Sequence, residues 1–130
     1  MTILVGYTPN PEGTAAVEFG IRQARAFDDT LLVLNAGIGE SKDERGVASE
    51  EQLAEIVKKL QSASIKYELK QFLRGNDAVE EILALAEASP EVSMIIIGSR
   101  KRSAVGKLIM GSSAQRIILG SPVPVVSVKA

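Results

Sequence analysis

The residues best suited to chemistry in this chain lie in one segment, 98–116, with the sequence GSRKRSAVGKLIMGSSAQR. Gly98 allows a close approach of backbone and ligand, and Gly111-Ser112-Ser113 opens a predicted helix whose first N–H groups and dipole favour an anion. Four cations lie within eight residues: Arg100, Lys101, Arg102 and Lys107. These features predict a phosphate-binding segment. The alternative is a solvated basic loop that ends in an ordinary serine-capped helix.

The charge of the chain is unevenly distributed along its length. The 130 residues hold 15 Lys and Arg against 16 Asp and Glu, a net charge of −1. Residues 1–91 contain all 16 acids and nine of the bases, a net charge of −7. Residues 92–130 contain no acid and six bases, a net charge of +6. This split favours contact between the C-terminal part and an anion, with a cationic surface balanced by acidic neighbours as the alternative.

The composition excludes most hydrolase chemistry and a Cys/His zinc site. The chain has no Cys and no His, so it has no disulfide framework, no thiolate, no imidazole base and no Cys/His zinc site. Aromatic residues make up only 4% of it, which disfavours a stacking platform for nucleic acid. The acidic pairs Asp43-Glu44 and Glu80-Glu81 are predicted in a loop and an early helical turn, where such charges solubilise and cap.

Apolar runs alternate with amphipathic stretches in a βαβαβαβαβ order. The predicted strands are Ile3–Val5, Thr30–Ala36, Ile65–Leu73, Val92–Ile97 and Pro124–Val128. The helix starts are marked by Asn10-Pro11, by the capping-box pairs Ser49/Gln52 and Asp77/Glu80, and by Ser112. This alternation predicts a single α/β domain over residues 1–130, a doubly wound five-stranded parallel sheet in the order 3-2-1-4-5 with helices on both faces.

In this order the strand sequence reverses between the first and fourth strands, and open α/β sheets bind ligands at that switch point. The predicted site contains Gly6, Tyr7 and Thr8 after the first strand, with Ala36 nearby. It also contains Ile97 at the end of the fourth strand and Gly98, Ser99 and Arg100 at the start of the loop that follows. The topology therefore brings the basic segment 98–116 to the same edge as the end of the first strand.

Established phosphate-binding motifs do not match this arrangement. The spacing of the basic segment is wrong for a Walker A loop and Leu108 occupies the Ser/Thr position, while no G-x-G-x-x-G follows the first strand. The acidic pair that a receiver domain would need after the first strand is missing as well. For Thr8 and Asn35, capping of a strand end is as good an explanation as ligand contact.

The pattern Gly98 and Gly111-Ser112, preceded by MIIIG and followed by a helix and PVPVVSV, resembles the nucleotide signature G-x2-G-x9-G-[S/T] of the universal stress protein family. The resemblance extends from Ile3 to Lys129 and includes ILVGYT, LLVLNA and RGNDAVEEIL. It implies the same fold and the binding of ATP or AMP by many members, with other members binding none. Two positions depart from the pattern: Lys101 replaces the second glycine, and Thr8 stands where many nucleotide-binding members have an acid.

On this basis we expect adenosine near Tyr7, Thr8 and Ala36. We expect the phosphates near Gly98, Arg100, Lys101, Gly111, Ser112 and Ser113, with magnesium entering only through the phosphates. Because the crevice offers no general base or activated nucleophile, any ATP hydrolysis should be slow. The expected role is that of a sensor or regulator in the stress response, and the alternative is a nucleotide-free interaction module of the same family.

The last predicted strand would expose an apolar edge in a monomer. Val123, Val125, Val126 and Val128 lie on or beside this strand, and pairing with the same strand of a second copy would cover them. The resemblance likewise implies a homodimer through the last strand. Apolar runs are too short for a membrane span of ~20 residues, and no secretory leader pattern is present. We therefore expect a cytoplasmic protein, with an unidentified protein partner still open.

Overall fold

A computed structural model describes residues 1–36, 47–72, 78–99 and 111–130. Five strands form one sheet in the order β3-β2-β1-β4-β5, and every neighbouring pair is parallel. The strands are β1 (Thr2–Tyr7), β2 (Thr30–Ala36), β3 (Tyr67–Phe72), β4 (Val92–Ser99) and β5 (Val125–Lys129). The helices are α1 (Pro11–Phe27), α2 (Glu50–Ser62), α3 (Ala78–Ala88) and α4 (Ser112–Gly120). The predicted fold class and strand order are confirmed.

Helices cover both faces of the sheet because successive residues of the buried strands point to opposite sides. On one face Ile3, Val5 and Tyr7 of β1 pack in a core with α1 and α2. On the other face Leu4 belongs to a core with α3 and α4. The central strands are nearly uniformly apolar since both of their faces are covered, whereas β3 alternates between half-buried and exposed residues at an edge of the sheet.

The starts of α1 and α2 follow the predicted capping chemistry. The Asn10 side chain accepts a hydrogen bond from the Gly13 N–H at 2.7 Å, and Pro11 occupies the first turn. Ser49 and Gln52 form a complete capping box. The predicted capping partner Asp77 lies outside the described residues.

One predicted boundary near the candidate site, the end of β4, is wrong by two residues. β4 continues to Ser99 because Gly98 and Ser99 pair with Val128 and Lys129 of β5, so Gly98 is a strand residue and does not begin the loop. α4 begins at Ser112 as predicted, but the residue that caps it is Gly111, and no described side chain hydrogen-bonds to that cap. These residues therefore do not form a serine-capped helix start. Among the described residues no helix is long and apolar enough to cross a membrane.

Candidate functional site

The carboxyl ends of β1 and β4 lie side by side, since their register runs from Ile3 opposite Met94 to Gly6 opposite Ile97. Strand order reverses here, as the sequence predicts. α4 connects β4 to the parallel strand β5 and runs back along the sheet, so its first turn lies at the same edge. We call the ends of β1 and β4 (7–8 and 98–99) and the first turn of α4 (111–113) the β1/β4 edge.

Tyr7 contributes its backbone to this edge, while its side chain belongs to the core. The residue is only 4% exposed and packs with the α1/α2 core. Its carbonyl oxygen accepts a hydrogen bond from Asn35 Nδ2 at 2.9 Å. Burial, with a smaller contribution from the Glu55 carboxylate, raises the pKa of the Tyr7 phenol above its ordinary value of 10.0. The phenol therefore stays protonated throughout the neutral range.

Thr8 lies directly at the switch point and helps to start α1. Its Oγ1 donates a hydrogen bond to Asn10 Oδ1 at 3.0 Å, and its carbonyl oxygen accepts one from the Asn10 N–H at 2.8 Å. Asn10 Oδ1 also accepts from the Gly13 N–H, which fixes this atom as an acceptor and Thr8 as the hydroxyl donor. The Thr8 hydroxyl oxygen keeps its acceptor capacity.

Gly98 has a packing role that its position in the sequence did not reveal. A Cβ atom built on Gly98 would come within 2.4 Å of the Glu12 carbonyl oxygen. Only glycine lets the end of β4 pass this closely to the first turn of α1. The close backbone approach predicted for Gly98 is therefore made to α1. The next residue, Ser99, accepts a hydrogen bond at its Oγ from Ser127 Oγ at 2.6 Å.

Gly111 differs from Gly98 because no packing contact requires it. It has an ordinary extended backbone, with φ −60° and ψ 149°, and a Cβ built on it would meet no atom of the described residues within 4 Å. Gly111, Ser112 and Ser113 are all exposed. The first N–H groups of a helix have no partner within the helix, so the start of α4 can hold an anion.

The remaining predicted site residues fall into two groups. Ile97 is buried in the core with α3 and α4, so its side chain serves packing, and Ala36 pairs with Phe72 at the end of β2. Arg100 and Lys101, like Arg102 and Lys107, lie outside the described residues. Within the described parts of the chain no three acidic side chains are grouped to hold a metal ion.

A buried polar network beside this edge was only partly foreseen. Asn35 is fully buried in β2; its Oδ1 accepts from the Ala48 N–H and from Gln71 Nε2, both at 2.9 Å. Gln71 Nε2 also donates to the Ala48 carbonyl oxygen at 2.9 Å. The network ties the ends of β1, β2 and β3 to the chain that enters α2. The signal in the sequence is one amide inside the apolar run TLLVLNA.

Comparison with known proteins identifies the family. A model of the Universal stress protein family matches residues 1–129. A protein named Universal stress protein from Mycolicibacterium smegmatis is 41% identical over 127 residues, which are 98% of this chain and 96% of that protein. A universal stress protein structure from Archaeoglobus fulgidus has 27% identity and a TM-score of 0.77, covering 99% of this chain and 93% of its own. A second from Archaeoglobus fulgidus, in complex with dAMP, has 23% identity and a TM-score of 0.74, covering 99% and 98%. The chain therefore belongs to the universal stress protein family.

Proposed function

We propose that this protein binds an adenine nucleotide, ATP or AMP, at the β1/β4 edge and acts as a sensor or regulator in a stress response. The observation that carries the proposal is the start of α4. It is capped by an exposed glycine with open space around it and no described side chain on its first N–H groups. A helix start of this kind favours a phosphate group. Family membership and the dAMP complex of a structural neighbour support an adenine nucleotide as the ligand.

The phosphates in this proposal lie against Gly111, Ser112 and Ser113, with Arg100 and Lys101 supplying positive charge. Side-chain cations are well suited to this role because hydrogen bonds to charged phosphate oxygens are stronger than neutral ones. Magnesium, where present, would enter with the phosphates of ATP. The chain's own residues offer positioning and charge, and we propose no efficient hydrolysis.

The adenosine in this proposal lies near the backbone ends of β1 and β2, at Tyr7, Thr8 and Ala36. Thr8 supports this placement by the direction of its hydrogen bond. Because its hydroxyl proton is donated to Asn10, the hydroxyl oxygen can accept a hydrogen bond from a ribose hydroxyl. An acid at this position could accept more such bonds, so we expect weaker adenosine binding than an acid would give.

The first test is to denature the purified protein and identify any released nucleotide by mass spectrometry. A thermal-shift series with ATP, AMP and cyclic AMP follows, because a ligand at about 100 times its Kd adds roughly 2.7 kcal/mol to the free energy of unfolding. We expect a shift with at least one of them. A blank in both experiments would contradict the proposal and favour the nucleotide-free interaction module.

The sharper test is Gly111→Asp. A carboxylate at this position caps the helix and interacts well with its dipole, so the free energy of unfolding without ligand should stay the same or rise. The same carboxylate occupies and repels the phosphate position, so nucleotide affinity should fall by about tenfold or more, roughly 1.4 kcal/mol. Gly111→Asn is the matched control, since it caps without charge and should weaken binding less. Unchanged nucleotide affinity in Gly111→Asp would contradict the placement of the phosphates.

We also propose that the protein is a cytoplasmic homodimer that pairs through β5. Val123, Val125, Val126 and Val128 are each only half-buried in one chain, and β5 is an edge strand of the sheet. Pairing with β5 of a second copy would satisfy the outer backbone groups of the strand and cover these side chains.

A further inference from the structure

A groove lies between residues 18–25 of α1 and residues 55–63, which belong to α2 and its C-cap Ala63, with a volume of about 670 Å³. We call it the α1/α2 groove. Both helices follow a strand and run back along the sheet, so the groove, formed by their C-terminal halves, lies towards the edge opposite the β1/β4 edge. Its α1 wall is the stripe Glu18, Ile21, Arg22 and Arg25, the spacing of one helix face. The proposed nucleotide function uses none of these residues.

The positive charge of the N-terminal part of the chain is concentrated in this groove. Arg22, Arg25, Lys58 and Lys59 line it, and they are four of the nine bases in residues 1–91. Only two of the 16 acids, Glu18 and Glu55, do so. The groove therefore carries a net charge of +2 in a part of the chain whose net charge is −7, a local field that attracts anionic groups.

Three of the four cations contact a neighbouring residue, and all four are exposed. Arg25 donates one hydrogen bond from Nη2 to the Ala63 carbonyl oxygen at 3.1 Å, although a guanidinium has five N–H donors. The Arg22 guanidinium lies 5.6 Å from the centre of the Phe19 ring, a cation–π contact, and its N–H groups donate no hydrogen bond to a described residue. Lys59 is 4.0 Å from Glu18, and Lys58 has no ion pair with a described residue. Positioned donors of this kind lose less side-chain entropy when they bind an anion.

The mixed lining of the groove favours a peptide over a nucleic acid. The groove is also lined by Ile21 and Ala63, apolar residues that are each 8% exposed. Glu18 and Glu55 would repel a phosphate backbone, which is charged at every residue, whereas a peptide can place uncharged residues and backbone N–H donors against these carboxylates and its acidic side chains against the cations. Residues 18–25 rise by about 10 Å along α1, the length of roughly three extended peptide residues at about 3.3 Å each. We infer that the α1/α2 groove docks an acidic peptide segment of a partner protein.

The test is a titration of the whole protein with a capped hexapeptide of alternating glutamate and leucine, followed by amide NMR. We expect the shifted amides to lie in residues 18–25 and 55–63. The variant Arg22→Glu with Lys58→Glu should weaken binding by about tenfold or more, and added salt should weaken it as well. Arg25 is left unchanged because its hydrogen bond to Ala63 supports the end of α2.

The matched control is Lys66→Glu with Lys70→Glu, which changes the net charge equally. Both lysines are exposed, and they alternate with Tyr67 and Leu69, which pack towards α1 and α2, so they point to the other face of the sheet. This variant should keep wild-type affinity. An equal loss in both variants would overturn the inference, as would equal binding of a glutamine-for-glutamate peptide. Groove-dependent binding of oligothymidylate without binding of the acidic peptide would replace the peptide with a nucleic acid.

Discussion

Asn35 shows how one buried amide can organise one edge of a sheet. It is the only buried polar residue among the described parts of the chain, and it connects the ends of β1 and β3 with the chain entering α2. Its oxygen already accepts two hydrogen bonds from the protein. Of the two explanations that the sequence allowed for Asn35, fixing of strand ends is confirmed.

We predict that Asn35→Leu destabilises the fold. Leucine has a similar size but leaves the Tyr7 carbonyl, the Ala48 N–H and the Gln71 amide without this partner. Gln71 keeps its hydrogen bond to the Ala48 carbonyl oxygen, so two buried groups are left unsatisfied; at about 1–3 kcal/mol each, the free energy of unfolding should fall by roughly 2–6 kcal/mol. Urea denaturation measures this change. Gln61→Ala, at an exposed position of α2, is the control; a loss as small as that of the control would refute the role of the network.

The raised pKa of the Tyr7 phenol predicts how the stability of the fold depends on pH in the alkaline range. Because burial raises the pKa of its phenol in the folded state, the folded protein retains the proton after the unfolded chain has lost it. Ionisation of Tyr7 should therefore leave the free energy of unfolding unaffected below about pH 10. It should lower that free energy as the pH rises further, until the folded phenol also ionises. Tyr7→Phe removes this dependence. Urea denaturation of both proteins across this pH range measures the difference. Parallel plots of the free energy of unfolding against pH would contradict the assignment.

The two glycines of the candidate site illustrate what a single sequence can specify. Both match a family signature, yet the backbone of Glu12 leaves no room for a side chain at Gly98, whereas no described residue would exclude a side chain at Gly111. The difference depends on where α1 lies relative to β4, which a sequence motif does not contain. The residue types were therefore predictable, but the physical reason for each was not.

At the scale of elements, the starts of helices were the most predictable features. Caps depend on residues three or four apart, so the Asn10 cap and the Ser49/Gln52 capping box are both visible in the sequence. The end of β4 was not, because Gly98-Ser99 has turn-forming residue types and only their pairing with Val128 and Lys129 keeps them in the strand. Local capping interactions can be predicted from the sequence, whereas the residue at which the pairing of two strands ends cannot.

We predict that Ser49→Ala destabilises α2 and that Ser112→Ala leaves stability unchanged. Ser49 accepts the Gln52 N–H at 3.1 Å, and Gln52 accepts the Ser49 N–H at 2.8 Å. Loss of an N-cap serine costs about 1 kcal/mol. Ser112 follows the capping residue of α4 and makes no such bond to that cap. Thermal unfolding of both variants without ligand tests this contrast, and equal effects would show that the two helix starts are not capped differently.

At the scale of the whole molecule, the alternation of elements was enough to predict the sheet order. The charge pattern could be predicted from the sequence only in part. The basic C-terminal part is contiguous in the sequence, whereas the α1/α2 groove combines stripes around residues 22 and 58 that only folding brings together. The chain thus has two concentrations of positive charge, the basic C-terminal part of the sequence and the α1/α2 groove. The groove lies within the acidic part of the chain.

The last prediction concerns the edge of the sheet that β5 leaves unpaired in one chain. An edge strand with half-buried valines is suited to pairing with a second copy, and a twofold axis lets both copies use the same strand. We expect sedimentation at micromolar concentration to give twice the monomer mass of 13.8 kDa. Amide exchange in Val125–Lys129 should slow as protein concentration rises, because pairing protects the outer N–H groups of this strand. Exchange in the buried strand β1 should not depend on concentration and is the internal control. A single 13.8 kDa species, or a dimer whose β5 amides exchange at the same rate at every concentration, would contradict pairing through β5.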